Sequence, residues 1–96
     1  MNSHNQDELI GRIYRHKAAH RQRLSFIDAE LSNAASLLKK ASSQMEALLA
    51  REPSKIDSVL SRIDIDEILK LLAERAQLQR RIADANEQLQ KLGVRP

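Results

Sequence analysis

The sequence of 96 residues contains no cysteine, two glycines and two prolines. Without cysteine there can be neither a disulfide framework nor a thiolate zinc site, which fits a reducing compartment. The scarcity of glycine and proline removes the turn residues that sandwiches and barrels need every few residues. These absences exclude an all-β fold and favour long helices.

Aromatic residues and long apolar runs are also scarce. Tyr14 and Phe26 are the only aromatic residues, so the side chains that usually supply much of the burial in a thick globular core are missing. The longest apolar runs have about four residues, whereas a membrane span needs roughly twenty. Charged residues also interrupt the first twenty positions, which leaves no signal-peptide core. We therefore expect a soluble, cytoplasmic protein.

Signals for a long first helix begin near the N-terminus. Asn5, followed three residues later by Glu8, has the spacing of a capping box, and Ser3 offers a competing start of the same type. Pro53 disfavours a helical conformation of the residue before it. The sequence therefore predicts one helix over about residues 5–51.

Apolar residues along this helix recur in steps of three and four, which is typical of a coiled coil. Upstream, Leu9, Ile13, His16 and His20 continue the pattern, but the step from His20 to Leu24 is four where three is due. Such an insertion locally unwinds a supercoil. The regular part of the pattern consists of Leu24, Ile27, Leu31, Ala34, Leu38, Ala41, Met45 and Leu48.

Two further capping signals follow Pro53. Ser54 and Asp57 predict a short helical corner over about residues 54–62, and Asp64 with Glu67 predicts the start of a last helix over about residues 64–92. Gly93 is placed to end that helix in the left-handed conformation. The pattern of the last helix is Ile68, Leu71, Arg75, Leu78, Ile82, Ala85, Leu89 and Leu92.

A long helix, a short connection and a second helix predict an all-α fold, an antiparallel helical hairpin with coiled-coil packing in a single domain over residues 1–96. The competing fold is a straight chain whose first helices pair between subunits. If the hairpin turns near Pro53, Asp64 lies near Arg51 and Leu92 lies level with about Arg23. Residues 5–22 would then form a protruding basic helical arm with no partner inside the chain.

The hairpin leaves apolar residues outside its contact line, and exposed apolar patches usually mark interaction sites. Fewer than about 100 residues without disulfides or metal also give a marginal core. We therefore expect a homodimer that forms a four-helix bundle over part of its length, or another protein partner. The predicted interface residues are Leu9, Ile10, Ile13 and Tyr14 on the arm and Ile65, Leu69 and Leu72 on the last helix.

The predicted arm is also basic, because no acidic residue lies between Leu9 and Ile27. Such a segment could neutralise phosphates on nucleic acid, with an affinity that falls steeply with salt. Only Tyr14 offers a ring for stacking on a base. The candidate nucleic-acid contacts are Arg12, Arg15, Lys17, Arg21 and Arg23.

Other chemistry-bearing residues give no catalytic pattern. His16 and His20 have metal-ligand spacing, but the segment holds no further ligand, so uncoordinated histidines are the expected state. Asp64, Asp66 and Glu67 are explained by their place at a helix start. With no nucleophile–base order and no glycine-rich phosphate loop, we expect no enzyme activity, cofactor, metal or small-molecule substrate.

These features favour a non-enzymatic helical interaction module, such as an adaptor, a chaperone-like factor or an assembly protein. The alternative is a nucleic-acid-associated protein or regulator that uses the basic arm.

Overall fold

The computed structural model describes the backbone of residues 3–96 and the side chains from residue 5 onward. Every regular element in that range is helical and no strand occurs there, which confirms the predicted all-α class. The elements are α1 (Ser3–Arg51), a 3₁₀ turn (Pro53–Lys55), α2 (Ile56–Leu60) and α3 (Ile65–Lys91).

The long helix α1 ends where the sequence predicts but begins earlier. Glu52, directly before Pro53, has φ −143° and ψ 74°, so the chain leaves the helical conformation at that point. At the other end α1 already includes Ser3. Asn5 therefore lies inside the helix, and its predicted capping role is wrong; the side chain of Ser3 lies outside the described residues.

Both ends of α3 carry the predicted caps. The Asp64 carboxylate accepts a hydrogen bond of 2.9 Å from the backbone N–H of Glu67. At the C-terminal end Gly93 has φ +76°, a conformation that strains residues with a Cβ. The N–H of Val94 donates to the carbonyl of Leu89 at 2.9 Å, which completes a Schellman motif.

The connection between α1 and α3 is helical, as predicted, but its predicted cap is absent. The residue that precedes α2 is Lys55, and no side chain caps the helix there. Ser54 belongs to the preceding 3₁₀ turn, so its capping role is wrong.

Backbone contacts divide the chain into two compact units. The first unit combines Met1–Ile27 with Ala73–Pro96, and the second unit is Asp28–Leu72. The first unit buries Ile13, Ile27, Leu78 and Leu89, and the second buries Ala41, Val59 and Leu71.

Within the first unit, the beginning of α1 contacts the end of α3. The Gln6 side-chain amide donates to the carbonyl of Leu92 at 3.4 Å, and Arg23 forms an ion pair with Glu74. Leu92 therefore lies beside Gln6 rather than beside Arg23. The predicted protruding arm of residues 5–22 is wrong, because its helix has a partner inside the chain.

Within the second unit, the position of the connection explains why α3 pairs with an earlier part of α1 than the sequence predicts. Val59 and Ile63 line a groove together with Leu37 and Ala41, so residues 53–63 run back along α1. A helical segment of this length advances about 1.5–2 Å per residue and covers a similar length of α1.

Because the connection covers the last turns of α1, α3 begins beside a part of α1 that lies nearer the N-terminus. Asp64 lies in a groove with Glu30 and Asn33. The predicted position of Asp64 near Arg51 is therefore wrong.

Candidate functional site

The buried side of α1 in the first unit follows an unbroken spacing of three and four residues. Leu9 and His16, which the sequence pattern placed on that side, are both exposed, so the predicted interruption near His20 is wrong. Lys17 is instead at a buried position, with only 4% of its surface exposed. Apart from the half-buried Gly11, the buried and half-buried residues are Ile10, Ile13, Lys17, His20, Leu24 and Ile27.

The C-terminal residues lie over the side of α1 that carries Lys17. The hydroxyl of Tyr14 donates a hydrogen bond to the carbonyl of Arg95, and Pro96 lines a groove with Lys17 and Arg21. Burial lowers the pKa of the Lys17 ammonium, and the positive charge of Arg21 lowers it further. Lys17 is thus a core position of the first unit.

Arg23 is held by a carboxylate of the same unit. Its Nε lies 2.5 Å from Oε2 of Glu74 and its Nη2 lies 2.9 Å from Oε1, a bidentate pair. The guanidinium also stands 5.1 Å from the centre of the Phe26 ring. The hydrogen bond from Arg23 is the main cause that lowers the pKa of Glu74; desolvation opposes it, and the charge of Arg23 adds to the lowering.

These contacts leave three of the five predicted nucleic-acid contacts exposed and outside both the core and the ion pair with Glu74. Lys17 is buried and Arg23 is engaged with Glu74, whereas Arg12, Arg15 and Arg21 remain exposed. The first unit still carries ten Lys and Arg against five Asp and Glu, while the second carries six against eight. The positive charge of the chain is therefore concentrated in the first unit.

The two histidines share one groove of the first unit. His16 and His20 line a space of about 200 Å³ together with Arg81 and Asp84. Among the residues that the structure describes, no three His, Cys, Asp or Glu side chains come close enough together to hold a metal ion.

The predicted interface residues on the first helix do not form one free surface. Ile13 is 8% exposed and belongs to the core of the first unit, and Ile10 is half-buried. Leu9 and Tyr14 are exposed, but the Tyr14 hydroxyl is already bonded to Arg95.

The predicted interface residues on α3 do form one exposed stripe. Ile65, Leu69 and Leu72 are spaced by four and three residues, which places them on one side of the helix. They are 53%, 58% and 48% exposed, whereas Leu71 is buried. We call these three residues the apolar stripe.

The second unit also has a groove between α1 and the segments that follow it. Leu37 and Glu30 line it from α1, and Ile63 and Glu67 line it from the following segments. No stripe residue lines this groove. Sequence reasoning missed it, because Leu37 lies outside the heptad pattern and the connection was predicted as a corner at the end of α1 rather than along it.

In the regular part of the predicted heptad pattern, from Leu24 to Leu48, one residue is not in the core. Leu38 is exposed rather than buried, although Ala41, three residues farther along α1, is buried as predicted. Leu38 is thus a further exposed apolar group of the second unit.

The three carboxylates at the start of α3 have the expected structural explanation. Asp64 caps the helix, while Asp66 and Glu67 lie in its first turn, near the positive end of the helix dipole.

None of the described helices has a stretch that is long and apolar enough to cross a membrane. Comparisons with protein families, with curated proteins and with solved structures find no significant match to this chain.

Proposed function

We propose that the protein is a non-enzymatic helical interaction module that docks through the apolar stripe. In this proposal α1 and α3 form an antiparallel hairpin with coiled-coil packing. A second copy covers the stripe, and the two hairpins form a dimeric four-helix bundle over part of their length. The observation that carries the proposal is the exposure of Ile65, Leu69 and Leu72 at about half of their surface on one side of α3.

The size of the apolar effect supports self-association of moderate strength. Full burial of a large aliphatic side chain stabilises by about 1.5–3 kcal/mol, so the exposed half of each stripe residue contributes about 0.8–1.5 kcal/mol. In a twofold dimer both copies contribute the same patch, so six such side chains are covered. That gain of roughly 5–9 kcal/mol is of the same order as the free-energy cost of association, so we expect a weak dimer that dissociates on dilution.

Sedimentation velocity of stripe variants tests the proposal. We expect Leu69→Asn, and more strongly the double variant with Leu72→Asn, to shift the protein towards the 10.9 kDa monomer. The matched control is Leu60→Asn, because Leu60 is also about half exposed but lies outside the stripe. Equal effects of Leu60→Asn and Leu69→Asn would refute docking through the stripe.

The concentration of positive charge in the first unit supports a second candidate, nucleic-acid binding. Its remaining contacts are Arg12, Arg15 and Arg21. Fluorescence polarisation with duplex and single-stranded DNA at two salt concentrations tests it. Binding that falls steeply with salt and is lost when all three are changed to Gln would support this function. Binding that the triple variant retains would refute the role of these residues.

A further inference from the structure

We propose that the groove of the second unit, which no stripe residue lines, binds one amphipathic helix of a protein partner. That helix begins with acidic residues, ends with basic residues and runs antiparallel to α1. The proposed dimer would cover the stripe, so the groove is a separate binding surface within the second unit.

The groove is continuous along α1. Its first section, of about 180 Å³, shares Leu37, Arg62 and Ile63 with the middle section. The middle section shares Gln44, Val59 and Arg62 with the last. It extends from Leu48 back to the level of Glu30, which corresponds to about 27 Å at 1.5 Å per residue. This length accommodates about five turns of a bound helix.

The groove also has the apolar lining that helix-in-groove recognition requires. Leu37 is 55% exposed, so most of an apolar anchor is available at the middle of the groove. Ala34 and Ala47 line the groove before and after Leu37 along α1, and their small side chains permit close approach of another backbone. The second unit buries few large side chains, and a third helix would add the missing packing layer.

The charges along the groove select the chemistry and direction of the occupant. Glu30 and Glu67 line one end, where Asp64 adds a third carboxylate. Arg62 lines all three sections, so the first section keeps an excess of two negative charges.

Lys40 and Lys55 line the sections towards the other end of the groove, where Lys55 also pairs with Glu52 at 2.6 Å. Helices favour acidic residues at the N-terminus and basic residues at the C-terminus, because these complement the helix dipole. Such a helix fits when its acidic start lies near the lysines and its basic end near the carboxylates.

Two synthetic peptides of 18 residues and identical composition test the direction. Both carry Leu at helical spacing; the forward peptide has Glu in its first turn and Lys in its last, and the other has these positions exchanged. We expect fluorescence polarisation to give about tenfold tighter binding of the forward peptide, since several exposed charge pairs change from attractive to repulsive. Equal affinities, or no binding of either peptide, would overturn the proposal.

The double variant Glu30→Lys/Lys40→Glu exchanges the charges of the groove while it conserves composition and net charge. We expect the preference for the forward peptide to fall at least threefold, and Leu37→Asn to weaken the binding of both peptides. Circular dichroism of each variant checks that the helices are retained. An unchanged preference in the double variant would overturn the charge-based orientation.

The stripe variant Leu69→Asn separates this proposal from the proposed dimer. It should bind the forward peptide as the unchanged protein does, even if the dimer itself is not observed. If Leu69→Asn remains dimeric and the forward peptide converts it to monomers, the groove holds a second copy of the chain. That outcome would overturn the assignment of the groove to a different protein.

Discussion

Replacing Ile13 by Ala distinguishes a packed N-terminal segment from a protruding arm. Ile13 is 8% exposed, so the substitution removes three carbon groups from an almost fully buried position. At about 0.8 kcal/mol per group the lost transfer free energy is about 2.4 kcal/mol, and the cavity left behind adds to it. We expect the free energy of unfolding to fall by about 2–4 kcal/mol.

Urea denaturation followed by circular dichroism measures this change, at several protein concentrations so that dimerisation is separated from folding. The matched control is Leu9→Ala, four residues away on an exposed side of the same helix. We expect it to cost less than about 1 kcal/mol. A similar small cost for Ile13→Ala would mean that this part of α1 does not pack against the rest of the first unit.

Three further predictions concern charge and backbone conformation. Lys17→Met should raise the denaturation midpoint at neutral pH. Because the pKa of Lys17 is lower in the folded than in the unfolded chain, stability should rise with pH between these two pKa values, and Lys17→Met should abolish that rise. The lowered pKa of Glu74 predicts that its pair with Arg23 stabilises fully above the unfolded pKa and less as pH falls through the folded pKa; Glu74→Gln should lack this dependence in acid titrations. In thermal melts Gly11→Ala should stabilise by about 0.5–1 kcal/mol, because the added Cβ meets only ordinary contact, while Gly93→Ala should destabilise by about 1–2 kcal/mol because φ is +76°.

The local signals in the sequence were sufficient to predict where the helices end. Pro53 ends α1, Asp64 caps α3 and Gly93 closes it, and each acts on backbone groups within one or two turns. The exposed stripe on α3 was also predictable, since Leu69 and Leu72 lie off the heptad line of their own helix.

The register between the helices was not predictable in the same way. It depends on whether the connection after Pro53 crosses the end of α1 or runs back along it, and Val59 is equally apolar in both cases. A corner at the end of α1 placed Leu92 level with Arg23, whereas in the structure Arg23 pairs with Glu74. The same corner left the N-terminal segment without a neighbour.

Lys17 shows a second limit of pattern reading. The spacing from Leu24 back to Ile10 continues unbroken only if a lysine and His20 are accepted at core positions. A polar residue at such a position suggests that the heptad pattern has shifted, although the long aliphatic stem of lysine can pack in a core. Extending the heptad phase strictly upstream would have identified this position.

Intermolecular nuclear Overhauser effects in a mixture of ¹³C-labelled and unlabelled chains test the proposed docking surface most directly. The filtered experiment detects only contacts between different copies. We predict cross-peaks from the methyl groups of Ile65, Leu69 and Leu72, at concentrations where sedimentation gives a mass above 10.9 kDa. Intermolecular cross-peaks confined to other methyl groups, or a mass of 10.9 kDa at every concentration, would contradict self-association through the apolar stripe.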